Sequence, residues 1–128
     1  MGDIEGIESI QHFVDEFYNK VKQDELLEPV FTSVIKDNWQ PHLNKMYAFW
    51  NAALFSVPGF KGNPFARHAP LPIQPLHFKR WLELFNQTVN ENFTGPVAND
   101  AKNRAQLMGA MFQAKLSHVK EGFNKVIV

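Results

Sequence analysis

Along most of this chain, apolar residues recur at steps of three and four, the repeat of one helical face. Ile7, Ile10, Phe13, Val14, Phe17 and Val21 form such a stripe and predict an amphipathic helix over 7–22. Tyr18 lies beside Val14 and Val21 on it. Its ring could face inward with a hydroxyl needing a partner, or stand at the core's edge with its hydroxyl in water. Pro29 suits the start of a short helical turn, and Phe31 is the apolar residue that turn would carry inward. Lys36-Asp37-Asn38 is a polar break before a second long helix, 39–55. That helix has a broad apolar face of Leu43, Met46, Tyr47, Phe49, Trp50, Ala53 and Leu54. His42 falls in its first turn, on the same side as Met46. A lone histidine there reads as exposed or structural unless something polar binds opposite it.

Residues 56–64 are rich in Pro and Gly and read as a loop. One or two helical turns fit 64–69, and the prolines from Pro70 to Pro75 prevent their continuation. His68 is thereby expected on a short, stiff element between two longer helices. A third long helix is expected over 75–93, with Phe78, Trp81, Leu82, Phe85, Val89 and Phe93 inside and His77 at its start. Trp81 reads as core, with an indole N–H that needs an acceptor if buried. After the Thr94-Gly95-Pro96 turn, a fourth long helix is expected over about 97–121, carrying Ala101, Ala105, Met108, Met111, Phe112, Leu116 and Val119. Gly122 would stop it. His12 and His118 are expected at the surface. No strand-period alternation, internal repeat or linker is visible. The reading is all-α, in one domain over 1–128.

Composition narrows the chemistry. Aromatics make up 13% of the chain, including twelve Phe and three Trp. Such ring content fits a Phe-rich core or a pocket for a flat apolar ligand. Thirteen basic and thirteen acidic residues cancel, and no run of Lys or Arg points to nucleic acid or an anionic membrane. With no cysteine, disulfides, thiolate catalysis and cysteine-held zinc or iron–sulfur centres are excluded. The N-terminus is acidic and lacks an apolar h-region, so no signal peptide is expected. Gly6 stands where a myristoylation motif needs Ser or Thr. No apolar run is long enough to span a membrane. A cytoplasmic protein is expected.

Gly-rich phosphate-binding motifs and HExxH are absent, and His42, His68 and His77 are too far apart for a local zinc motif. No Ser-His-Asp arrangement is legible. Haem would use what remains. It takes one axial histidine, flat aromatic walls, and hydrogen-bond donors on its other face. His68 is the candidate ligand, and Tyr18, His42 and Trp81 are donors on three separate helices. A cofactor-free helical interaction module, with the rings as core, is the other reading.

The order of residues resembles the group III truncated haemoglobins of bacteria, from about residue 9 to 120. The resemblance rests on Phe17-Tyr18 with Val21, Pro29-Val30-Phe31, Trp39-Gln40-Pro41-His42 and Phe49-Trp50. It continues through Gly62-Asn63-Pro64-Phe65-Ala66-Arg67-His68 with Leu71-Pro72, then Trp81-Leu82-Glu83-Leu84-Phe85 and Arg104-Ala105-Gln106-Leu107-Met108. The paired-glycine signatures of the other two groups are missing, as in group III. The resemblance implies a shortened globin, two helices over two around a b-type haem (iron protoporphyrin IX). It implies His68 as the proximal iron ligand and Phe31 as a wedge against the macrocycle. Tyr18, His42 and Trp81 would be the distal set, with Met46 one turn beyond His42. Trp50 and Phe65 would line the cofactor, and Arg67 and Lys45 would pair with propionates or stay solvated. His77 competes for the proximal role but lies outside the family's motif. The implied ligand is O₂, NO or CO. Peroxidase-like or NO-oxidising catalysis would use the same donors, and NO oxidation would also need a separate reductase.

Overall fold

Helix α1 (Ile7–Gln23) forms where the stripe predicts it and buries all six of its stripe residues except Ile7. Phe13, at its centre, is 0% exposed; truncating such a ring costs about 3–5 kcal/mol. The computed structural model of the chain describes residues 1–60 and 74–127, with side chains as far as residue 114. Among the described residues there are five helices and no strand: α1, α2 (Glu28–Ile35), α3 (Trp39–Phe55), α4 (Pro75–Asn92) and α5 (Pro96–Ile127).

α1 packs on α3 and on α4, α4 packs on α5, and α3 reaches α5. Two helix pairs, α1/α3 and α4/α5, therefore form the body. α2 closes one end against α1. Phe13 is the hinge of the core, with edge contacts to Trp50 of α3 (5.8 Å) and Phe85 of α4 (5.9 Å). Phe85 in turn stacks with two indoles, Trp50 at 5.0 Å and Trp81 at 5.6 Å. Such ring pairs add about 0.5–1.5 kcal/mol each beyond the area they bury.

Polar contacts fix how the helices meet. The Tyr47 hydroxyl of α3 donates to Asp15 of α1. The Asp24 carboxylate accepts the N–H groups of Leu26 (3.0 Å) and Leu27 (3.1 Å) at the α1–α2 corner. Arg80 of α4 reaches the same carboxylate at 3.1 Å. That corner delivers Leu27 to the interior, where it is buried.

The N-terminal segment caps the last helix. Asp3 accepts N–H bonds from Val97 (2.9 Å) and Ala98 (2.8 Å) in the first turn of α5, and Thr94 N–H donates to the Gly2 carbonyl at 2.9 Å. Gly95 has φ +141°, and a Cβ there would lie 2.6 Å from the Asp3 carboxyl carbon. Only glycine accommodates both the angle and the close carboxylate.

The helix ends differ from expectation in three places. α2 runs on to Ile35, beyond the short turn expected around Pro29. α4 ends at Asn92, so Phe93 is the extended residue after it rather than part of its inner face. α5 continues through Gly122 to Ile127. A helix-interior glycine costs only about 1 kcal/mol, and no proline follows to force a stop. α3 ends as read, at Phe55. Ser56 takes a left-handed conformation (φ 57°), donating its N–H to Ala52 while Val57 donates to Asn51, the usual closure of a helix C-terminus. No helix among the described residues is long and apolar enough to cross a membrane.

Candidate functional site

Between the two helix pairs lies a cavity of about 860 Å³, measured out to its solvent-facing mouth. Every helix contributes to its wall. α1 supplies Phe17 and Tyr18, and the α1–α2 corner and α2 supply Leu27, Val30 and Phe31. α3 supplies His42, Met46, Phe49 and Trp50; α4 supplies His77, Phe78 and Trp81; α5 supplies Met108, Gly109 and Phe112. None of these described lining residues is Asp, Glu, Lys or Arg. The wall is apolar and rich in rings, and its polar groups are those of Tyr18, His42 and His77 and the indole N–H groups of Trp50 and Trp81.

Tyr18 is 6% exposed, so the inward reading of its ring holds. Burial pushes its phenol well above the usual range, because the ionised form would lose its hydration. The O–H is therefore kept as a donor. Its ring meets His42 edge-on at 5.0 Å and 87°, and meets Phe31 and Trp39 at 6.1 Å each. His42 is half-buried in the first turn of α3, and Met46, one turn on, shares the cavity wall. Trp81 is half-buried, held by its stack on Phe85 and by the edge of Phe17 at 5.7 Å. Three helices thus bring Tyr18, His42 and Trp81 to one cavity.

Phe31, Met46 and Trp50 line the same space. Lys45 is exposed and is not part of the wall. Phe65, Arg67 and His68 lie outside the described residues.

His77 also lines the cavity, at the third position of α4. The backbone N–H of Gln74 donates to its Nδ1 at 2.9 Å. A backbone amide can only donate, so Nδ1 accepts, and the proton of the neutral ring is on Nε2. Leu27, Val30, Phe78 and the α5 trio Met108, Gly109 and Phe112 also line the cavity, a role their positions along the chain did not assign them. For Gly109 a signal existed: a glycine inside an otherwise strong helical pattern usually has a packing or functional reason. Gly109 is buried, yet a Cβ built there meets no described atom within 4 Å.

Comparison with known proteins agrees with this architecture. The profile of the bacterial-like globin family matches residues 2–117. The group 3 truncated hemoglobin ctb of Campylobacter jejuni is 33% identical over 113 residues, spanning 85% of this chain and 89% of that protein. The crystal structure of the group III truncated hemoglobin from Campylobacter jejuni superposes with a TM-score of 0.84 at 30% identity, covering 91% of this chain and 95% of that one. With its helices, its ring-lined cavity and these matches, the chain belongs to the bacterial-like globin family as a group III truncated globin, in a family of haem proteins that bind diatomic gases.

Proposed function

We propose that the cavity holds a b-type haem with His68 as the iron ligand, and that Tyr18 and Trp81 hydrogen-bond a diatomic gas while His42 controls its access. The observation that carries this reading is the convergence of Tyr18, His42 and Trp81, from α1, α3 and α4, on one apolar, ring-lined cavity.

The residues present fit a large, flat, apolar group. The described wall carries no Asp, Glu, Lys or Arg and is lined largely by rings and apolar side chains, as sites for small apolar ligands are. At Gly109 the α5 backbone leaves room that a larger side chain would fill. When bound, haem supplies an iron with an axial histidine and an open position for a gas. Phe31, Met46 and Trp50 would pack on the ring. Tyr18 would donate from a hydroxyl held protonated by burial, and Trp81 from an indole N–H fixed by its stack on Phe85. Arg67 and Lys45 would face the propionates, in keeping with the exposure of Lys45.

The histidine tautomer supports His68 over His77 as the ligand. A neutral imidazole that binds metal through Nε2 must carry its proton on Nδ1. At His77 that proton would oppose the Gln74 N–H, donor against donor, across 2.9 Å. Ligation by His77 would therefore cost the cap that starts α4.

The test is the rate of O₂ release from the haem-loaded protein. A hydrogen bond to a charged or strongly polar partner contributes about 1.5–3 kcal/mol. Tyr18→Phe should then speed release by roughly 10–100-fold, and Trp81→Phe should also speed it. Unchanged rates in both variants would remove the proposed donors.

A further inference from the structure

We propose that His77 anchors a carboxylate of the cavity's ligand through its Nε2–H; this rests on the haem reading above, haem being an apolar disc with two carboxylates on one edge. Nδ1 of His77 is committed to the Gln74 amide at 2.9 Å, so the ring presents a fixed donor at Nε2 and no ambiguity of tautomer. The described wall offers a carboxylate no Lys or Arg, and no Asp or Glu to repel it. His77 and Trp81 are four residues apart and share a face of α4, so His77 lies one turn nearer the helix N-terminus. Its neighbour Leu76 is 60% exposed, so solvent reaches this end of α4, where a polar ligand edge could keep its water. The N-terminal end of a helix also favours negative charge. An acid-bearing edge thus meets a donor and a positive helix end together, while the apolar disc remains against the rings deeper in. His77 is itself half-buried.

The experiment separates cap from anchor. Glu at the third helical position can accept the same backbone N–H, so His77→Glu keeps the cap but replaces the donor with a negative charge. His77→Gln keeps both an acceptor and a donor. The full-length apoprotein and each variant are titrated with haemin and with haemin dimethyl ester, whose carboxylates are masked, and the melting temperature of each apoprotein is recorded. We expect His77→Glu to melt as the wild type does, to lose roughly 10-fold or more in haemin affinity, and to hold the ester as well as before. His77→Gln should recover most of the haemin affinity. Equal losses for haemin and ester, or haemin binding by His77→Glu at wild-type strength, would overturn the anchor. Nitrogen NMR of the apoprotein gives an independent check: a proton on Nδ1 rather than Nε2 would also overturn it. If the wild type binds neither porphyrin, the haem reading itself falls, and it does so before any substitution is made.

Discussion

The rings of Tyr18 and His42 meet edge to face, centroids 5.0 Å apart at 87°, although one comes from mid-α1 and the other from the first turn of α3. His42 is half-buried and lines the same cavity as Tyr18. His42→Leu removes the polar ring that leans on Tyr18 and with it the proposed control of access. Flash photolysis of the CO form should show faster gas association than in the wild type. Equal association rates would end the proposal that His42 controls access.

Burial holds the Tyr18 phenol well above its usual range, and burial followed by the hydrogen bond to Asp15 raises Tyr47 to about 12. Two consequences follow from the sign of these shifts. As a donor, Tyr18 stays protonated past about pH 10, where a free phenol ionises, so O₂ release should not change with pH through that point. For stability, a raised folded-state value means that the contribution is complete below the unfolded value, about pH 10, and is lost as pH rises through about 12. Alkaline unfolding followed by circular dichroism should begin above about pH 10 and be shallower in Tyr47→Phe. A wild-type curve flat to pH 12 would contradict the raised values.

Asp3 is the N-terminal cap of α5. Desolvation pushes its carboxyl up, but the amide donors of Val97, Ala98 and Ile4 outweigh it and hold the group below its ordinary value. Asp3→Ala should cost about 1–2 kcal/mol, a fall of roughly 4–7 °C in Tm for a chain of this size. The cap's pH-dependent contribution is present above about pH 3.8 and is lost as pH falls through the lower folded value. Gly95→Ala should be the harsher change, because it combines a disfavoured φ with a side chain driven into Asp3. Differential scanning calorimetry checks both, and a Gly95→Ala variant as stable as the wild type would contradict the close approach.

Gly109 allows stability and ligand uptake to be separated. Gly109→Ala adds helix propensity worth about 1 kcal/mol, and its Cβ meets no described atom within 4 Å, so the apoprotein should melt higher. Gly109→Leu projects further into the cavity. It should keep its helical circular dichroism and lose haem uptake. Undiminished uptake by the leucine variant would show that α5 does not bound the ligand's space.

Much of this was legible in the sequence because it is local. The limits of α3 follow from the polar break at Lys36-Asp37-Asn38 and the loop after Phe55, and the stripe on α1 predicted which residues bury. The convergence of Tyr18, His42 and Trp81 was legible only through the resemblance, since spacing along one helix says nothing about the others. The Asp3 cap could not be read, because its partners lie 94 and 95 residues away. The extension of α5 past Gly122 was missed for the opposite reason: a local signal worth about 1 kcal/mol yields to a long helix's continuing hydrogen bonds. Whether the Tyr18 ring faced water or the interior turned on Phe31, Trp39 and His42, whose rings meet it from α2 and α3. Leu27 entered the cavity wall through a corner fixed by Asp24, a polar residue in a stretch otherwise read for its proline.

Titration of the apoprotein with haemin, followed by absorption near the violet edge of the visible spectrum, tests the central claim most directly. The wild type should develop an intense band saturating at one haem per chain, His68→Ala should retain haem far more weakly, and His77→Ala should keep the band's ligation pattern. No band in the wild type, or loss of ligation in His77→Ala with His68→Ala unaffected, would contradict the account.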